Sequence, residues 1–227
     1  MHLHIPSDSD LEFEPFTPPA VGADPSIFAG DFSPGRNGLK WALKTCPDPP
    51  VVYLLGNHKF YGQKLQKLTK ELHELASGTN VHLLENESCW IGDVVFLRAT
   101  LWTDFALHGN AVLSEVAAQT GMNDYRRIRT LPRYGRLRPS DTRRLHIQSR
   151  RWLEDQAFSL KGQKVVIVTH DAPSRESLPP VFDGDPCNPV QAKSFRRCGP
   201  GARLRPWHQR QSQPVRVNSV QLTDCSE

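Results

Sequence analysis

What this 227-residue chain lacks excludes several classes of protein. No apolar run approaches the ~20 residues that a transmembrane helix needs. The N-terminus shows no basic segment followed by an apolar one, which would mark a signal peptide. We therefore expect no membrane partner and a cytoplasmic location. The five cysteines are an odd number without a Cys-x-x-Cys pair, so neither a disulfide framework nor a cysteine-ligated zinc is expected.

Sequence signatures of several enzyme classes are missing as well. The chain has no G-x-S-x-G elbow for a nucleophilic serine. It has neither a P-loop nor the glycine fingerprint of dinucleotide-binding proteins. What remains is an ordinary globular composition, with 38% hydrophobic and 23% charged residues, and a length that suffices for one α/β domain with a sizeable core.

Hydrophobic patterning indicates strands that alternate with helices. Short apolar runs predict strands at residues 51–55, 81–84, 94–97 and 164–168. Leucines three and four residues apart predict a helix over 63–76, and a second helix is expected over 140–159 with Ser140 as its N-cap. This alternation predicts an α/β fold.

Basic residues are concentrated in two parts of the chain. Ten arginines and a single acid lie between Arg126 and Arg151, and seven further Lys and Arg follow Gln191. Such segments suit phosphate-bearing partners, including nonspecific nucleic acid, although a solvated helix face would look the same. Apolar periodicity fades after residue 189. We therefore expect a folded domain over 1–189 and a basic, disordered tail over 190–227.

The most informative motif is Gly-Asn-His at 56–58, directly after the apolar run 51–55. Loops that leave the carboxyl ends of buried strands are where α/β sheets collect ligands. The glycine is expected to let the backbone turn sharply. Three other strand-like runs also end in residues that can bind metal, and the full set of candidate donors is Asp8, Asp10, Asp31, Asn57, His58 and His170.

This set of oxygen and nitrogen donors is typical of a centre with two divalent ions. Such a centre needs a bridging carboxylate with flanking His, Asp and Asn donors. It clamps a phosphate, lowers the pKa of a bridging water and stabilises charge on the attacking and leaving oxygens. The residue types allow Mn, Fe, Zn or Mg.

The ordered motifs resemble the calcineurin-like metallophosphoesterase superfamily. That superfamily's motifs run D-x-H, G-D, G-N-H-[DE], a later H, and G-H-x-H. Four segments look like a bacterial branch of predicted phosphoesterases: Gly-Asn-His-Lys-Phe-Tyr-Gly at 56–62, Leu-Trp-Thr-Asp-Phe at 101–105, Met-Asn-Asp-Tyr-Arg at 122–126 and Thr-His-Asp-Ala-Pro-Ser at 169–174. The resemblance covers roughly residues 1–189.

The resemblance implies a fold and a role for each candidate. The fold would be a two-sheet β sandwich flanked by helices. Asp8 would bind the first metal, Asp31 would bridge both, and Asn57 and His170 would bind the second. His58 would protonate the leaving oxygen or steady the transition state.

Departures from the family pattern affect the completeness of the site. Asp10 stands where the first motif has a histidine, and a carboxylate there favours harder ions. Lys59 replaces an acid beside His58, where a cation would oppose metal ions and lower the proton affinity of the imidazole. No G-H-x-H motif follows, so the C-terminal part of the fold is expected to be incomplete. Pro6 and Pro25 lie within or at the edge of predicted strands, where each removes a backbone hydrogen-bond donor and would weaken local pairing.

Two functions follow from these observations. The first is hydrolysis of a phosphomonoester or phosphodiester at a dinuclear metal site, with Arg126 as a candidate substrate ligand, in a chain whose activity the missing motif could impair. The alternative is a catalytically inactive protein of the same fold that binds phosphate or nucleic acid. Oligomeric state is not readable from the sequence.

Overall fold

A computed structural model describes residues 2–6, 11, 16–18, 25–83, 85–106, 109–132, 134–173, 205–207 and 219–224. The strands are β1 (Ser26–Gly30), β2 (Val51–Leu55), β3 (Val81–Leu83), β4 (Glu87–Ile91), β5 (Val94–Ala99), β6 (Arg129–Thr130), β7 (Gly135–Arg136), β8 (Lys164–Thr169), β9 (Arg205–Trp207) and β10 (Ser219–Asp224). The helices are α1 (Asn37–Thr45), α2 (Leu65–Ala76), α3 (Ala111–Gly121), α4 (Asp124–Arg127) and α5 (Pro139–Ser159), with a 3-10 helix at Asn57–Phe60. The architecture is α/β, as predicted.

The first sheet contains β1, β2 and β3 in parallel. Every residue of β1 and β2 is buried, which explains why both strands are apolar throughout. His4 forms a parallel bridge with Ser26, and the carbonyl of Pro6 accepts a hydrogen bond from the amide of Ala29. Pro6 thus takes part through its carbonyl, and Pro25 precedes β1, so neither proline interrupts the sheet.

The second sheet has the order β4-β5-β8-β10-β9. Its central pair, β5 and β8, is parallel, whereas β4 and β10 are antiparallel to their neighbours. The strands β9 and β10 lie in the segment for which composition predicted little order. β10 pairs with β8, and β9 pairs with β10. This pairing has a physical explanation, because a strand edge offers backbone hydrogen bonds that do not depend on apolar side chains.

The two sheets contact each other through apolar side chains. One buried cluster joins Ile27 and Val52 of the first sheet to Phe96 and Val168 of the second. The helices pack on the other faces, where Leu68 and Leu72 of α2 join a cluster with the first sheet, and Leu153 of α5 joins one with the second. The carboxyl ends of β2 and β5 meet, because the hydroxyl of Thr100 donates to the carbonyl of Leu55 at 2.9 Å.

The long helix α5 begins differently from the prediction. Its first residue is Pro139 and its N-cap is Arg138, so Ser140 lies inside the first turn. The carboxylate of Asp141 accepts a hydrogen bond from the backbone amide of Arg138 at 3.0 Å, as the third helical residue does in a capping box. No helix in the part of the chain that the structure describes is long and apolar enough to cross a membrane.

Candidate metal and phosphate site

Three strand ends bring the candidate residues together. Asp31 follows β1, Asn57 and His58 follow β2, and His170 follows β8. Because β1 and β2 are parallel neighbours, their carboxyl ends lie at the same edge of the first sheet. His170 reaches this edge from the second sheet, and its Nε2 lies 3.7 Å from the Asp31 Oδ2. Residues separated by more than a hundred positions thus form one cluster.

The glycine of the Gly-Asn-His motif is required by a close approach. A Cβ atom on Gly56 would lie 2.1 Å from the Asp31 Oδ1, far inside contact distance. The backbone of Gly56 is extended, with φ of −90°, and the chain turns directly after it into the 3-10 helix, whose Lys59 amide donates to the Gly56 carbonyl. Gly30, at the end of β1, has the left-handed conformation, with φ of 112°. Because Gly56 has no side chain, the Asp31 carboxylate can lie directly against its backbone.

Donor atoms of Asp31, Asn57 and His170 face one another. The His170 Nε2 lies 2.9 Å from the Asn57 Oδ1. The Asp31 side chain is completely buried, and the His170 side chain is 7% exposed. Two ligands of one ion, at bonds of about 2.1 Å and a right angle, have donor atoms about 3 Å apart. The spacing and the mixed oxygen and nitrogen chemistry of these three side chains therefore fit a divalent ion.

His58 lies beside this cluster and reaches solvent. Its backbone amide donates to the Asp31 Oδ1 at 3.1 Å, and its Nδ1 lies 3.6 Å from the Asp31 Oδ2. The 3-10 helix that begins at Asn57 places the imidazole against the ring of Tyr61, with centroids 4.6 Å apart. The side chain of His58 is 18% exposed. It can therefore exchange a proton with a bound molecule while Asp31 fixes its position.

Asp124 is a site residue that sequence reasoning missed. Its Oδ1 accepts hydrogen bonds from the Asn57 Nδ2 at 2.8 Å and from the Tyr61 hydroxyl at 2.7 Å. Burial raises the pKa of the Asp124 carboxyl, whereas the bonds from Tyr61 and Asn57 act in the opposite direction. By holding the amide nitrogen of Asn57, Asp124 directs the amide oxygen toward His170. The segment 122–126 had been noted only as a family-like motif, and Asp124 does not follow a strand.

Lys59, which follows His58 in the motif, has a buried partner of its own. Its side chain is completely buried, and its ammonium donates to the hydroxyl of Tyr53 at 2.6 Å. Burial raises the pKa of Tyr53, so the phenol remains neutral and accepts this bond. The expected opposition of this cation to metal ions stays a prediction. The hydrogen bond from Lys59 to Tyr53 connects the 3-10 helix to β2.

The described residues include only part of the predicted ligand set. Among the described residues, no three His, Cys, Asp or Glu side chains form a metal-binding group. Asp31 and His170 supply two such donors, and Asn57 adds an amide oxygen. The predicted ligands Asp8 and Asp10 lie outside the described residues.

Arg126, the candidate substrate ligand, is exposed on α4. Its guanidinium donates a hydrogen bond to the backbone carbonyl of Thr120 near the end of α3. The neighbouring guanidinium of Arg127 instead lies over the ring of Tyr61, with its Cζ 4.6 Å from the centroid. A substrate contact by Arg126 stays a prediction, and Arg127 is the arginine that the described contacts place beside the site.

Comparison with known proteins adds a fold relationship. No protein-family model matches the chain, and no curated protein matches it. Among solved structures, it is similar to the phosphopantetheinyl hydrolase from Mycobacterium tuberculosis, with a TM-score of 0.61, 15% sequence identity, and coverage of 85% of this chain and 76% of that chain. At this identity the likeness shows a shared α/β fold.

Proposed function

We propose that this chain is a metal-dependent phosphoesterase that hydrolyses a phosphomonoester or a phosphodiester. The observation that carries the proposal is the convergence of Asp31, Asn57, His58 and His170 at the carboxyl ends of strands from two sheets. The order of these motifs along the chain, and the likeness in fold to a protein named as a phosphopantetheinyl hydrolase, add support.

Asp31, Asn57 and His170 would hold a divalent ion, and Asp8 and Asp10 are the proposed ligands of a second. When bound, the ions supply Lewis-acid stabilisation of the phosphate charge and activate water. The contribution of Asp124 would be to hold Asn57 with its oxygen toward the ion, since its carboxylate binds the amide nitrogen.

His58 would act on the leaving group. Water adds to phosphorus, the ester P–O bond breaks, and the leaving oxygen needs a proton to depart as an alcohol. Asp31 lies against the Nδ1 of His58, and the Nε2 is the atom that would deliver this proton. A phosphomonoester would yield an alcohol and inorganic phosphate. A phosphodiester would yield an alcohol and a phosphomonoester.

Hydrolysis of bis-p-nitrophenyl phosphate by the purified chain with added manganese tests the proposal. We expect turnover that requires the metal and that falls about a hundredfold or more in His58→Ala. His146→Ala, which changes a buried histidine outside the site, is the matched control. Wild-type turnover no greater than that of His58→Ala would reject the phosphoesterase and favour the phosphate- or nucleic-acid-binding alternative.

A further inference from the structure

Three cationic side chains occupy paired positions across a small β structure next to the site. Lys64 forms a parallel bridge with Arg129, and Arg129 of β6 pairs with Arg136 of β7. Residues paired across neighbouring strands have side chains on the same face, with Cβ atoms about 4.5–5.5 Å apart. Lys64, Arg129 and Arg136 therefore form one row, which we call the cationic row.

This arrangement is unfavourable by itself, because like charges directly opposite each other destabilise a sheet. Among the residues that the structure describes, no carboxylate forms an ion pair with any member of the row. The Arg129 Nη1 donates to the carbonyl of Arg126 at 3.1 Å, and the Lys64 Nζ lies 4.5 Å from the ring centroid of Tyr134. These contacts hold the cations in place without neutralising them.

Some arginines outside the row have acidic partners. Arg36 lies 3.7 Å from Glu71, Arg143 lies 3.4 Å from Glu115, and Arg150 lies 2.9 Å from Glu154. These three arginines differ from the row, whose members have no carboxylate partner in the part of the chain that the structure describes. An external anion is the simplest physical compensation for such a row.

The row is continuous with the candidate site. The amide of Gly62 donates to the carbonyl of Arg127, and the amide of Arg129 donates to the carbonyl of Gln63. These two bonds fasten the row to the segment that carries His58 and Tyr61. The guanidinium of Arg127, two residues before Arg129, lies over the Tyr61 ring, which contacts the imidazole of His58.

We propose that the cationic row binds a second phosphate group of the substrate, while the phosphate to be cleaved lies at the metal site. The shared chemistry is a series of phosphates, either in a small polyphosphate ester or along an oligonucleotide. Ammonium and guanidinium groups both suit this task, because each forms charge-assisted hydrogen bonds with phosphate oxygens. The assignment of the cleaved phosphate rests on the proposed phosphoesterase function, but the anion binding does not.

The test is direct binding to the full chain, measured by isothermal titration calorimetry with two probes: inorganic tripolyphosphate and a 5′-phosphorylated oligothymidylate of five nucleotides. The row variant combines Lys64→Gln, Arg129→Gln and Arg136→Gln. The matched control combines Arg36→Gln, Arg143→Gln and Arg150→Gln, which removes the same charge from paired positions. A third variant, Lys64→Arg with Arg129→Lys and Arg136→Lys, keeps the charge of the row.

We expect the row variant to bind at least one probe about tenfold or more weakly, while the matched control and the charge-preserving variant stay near wild type. For the oligonucleotide, loss of three phosphate contacts should reduce the slope of log affinity against log salt by about 2. A selective effect on tripolyphosphate assigns a small polyphosphate ester, and a selective effect on the oligonucleotide assigns a nucleic acid.

Equal weakening in the row variant and the matched control would overturn the proposal, because net charge alone would then explain binding. Unchanged binding of both probes in the row variant would overturn it as well. Failure of the phosphoesterase function is distinguishable, because an inactive chain that binds through the row fails the hydrolysis assay and still passes this one.

Discussion

Two histidine–aspartate pairs in this protein have the same separation but different surroundings. The His58 Nδ1 lies 3.6 Å from the Asp31 Oδ2, and the His146 Nε2 lies 3.6 Å from the Asp104 Oδ2. The side chain of His58 is 18% exposed, whereas that of His146 is 3% exposed. The second ring nitrogen of His146 lies 3.1 Å from the carbonyl of Leu101.

The difference separates the proposed chemical role of His58 from the structural role of His146. The carbonyl partner of His146 belongs to a loop in which Leu101, Trp102 and Phe105 have positive φ angles of 74°, 50° and 61°, a conformation that side chains other than glycine adopt at a cost. His146 holds that loop with both ring nitrogens. His58 instead extends from a strand end toward solvent, beside donors that converge from two sheets.

The largest expected effect separates the two histidines. His58→Ala should reduce turnover of the metal-supported diester assay by about 10²–10⁴ through loss of proton transfer, with a small change in the unfolding midpoint. His146→Ala should lower the free energy of unfolding by about 2 kcal/mol or more, roughly 4–8 °C in midpoint, and keep most of the turnover. Steady-state kinetics and thermal unfolding of both variants check this. The same profile in both variants would remove the distinction.

Asp124→Asn should weaken metal binding about 10–100-fold, the usual cost of losing a residue that orients a ligand. The substituted asparagine can turn its own amide nitrogen toward Asn57. The side chain of Asn57 would then no longer be held with its oxygen toward the ion. Titration of manganese into the apoprotein by calorimetry measures the change without any need for turnover. Asp104→Asn, at the structural pair, is the control and should leave metal affinity within about twofold of wild type. An equal loss at both positions would contradict a specific role for Asp124.

A methyl group at Gly56 tests the packing that creates the site. Gly56→Ala places a Cβ against the Asp31 carboxylate, and we expect a loss of about 1–3 kcal/mol in the free energy of unfolding, together with weaker metal binding. Gly135→Ala is the matched control, because a Cβ there meets no atom within 4 Å. Denaturant unfolding of the two variants measures the difference. Equal stability of both variants would show that Asp31 can move aside at little cost.

The smallest expected effect concerns a half-buried acid. Glu85 accepts hydrogen bonds from the amide and the hydroxyl of Thr100 at 3.0 and 2.7 Å. Burial raises its pKa, against the opposing effect of these bonds and of Arg98. A raised pKa in the folded state means that Glu85 contributes most to stability below its unfolded pKa, and that this contribution is lost as pH rises through the folded pKa.

The stability advantage of wild type over Glu85→Gln should therefore be largest in acid and shrink as pH rises above about 4.5. We expect a total change of about 1 kcal/mol, or roughly 2–4 °C in midpoint. Thermal unfolding across a pH series checks the direction. An advantage that grows with pH would mean that hydrogen bonding outweighs burial at Glu85.

Much of the candidate site follows from local patterns. The apolar runs placed strands close to their observed ends, and polar residues directly after them identified Asp31, Asn57, His58 and His170. Asp124 escaped because it lies on a one-turn helix and meets Asn57 across 67 positions. The burial of Lys59 was equally hidden, since a charged side chain next to the Gly-Asn-His motif gives no local signal of burial.

The alternation of strands and helices is encoded locally in the sequence, because hydrophobic periodicity acts over a few residues and needs no distant partner. The sequence also determined which donors follow buried strands. Only the tertiary structure decided that Gly56 must lack a side chain beside Asp31, that Asp124 holds Asn57, and that the cationic row joins the site. These are contacts between distant segments, and they depend on sheet register and packing, which a local pattern does not contain.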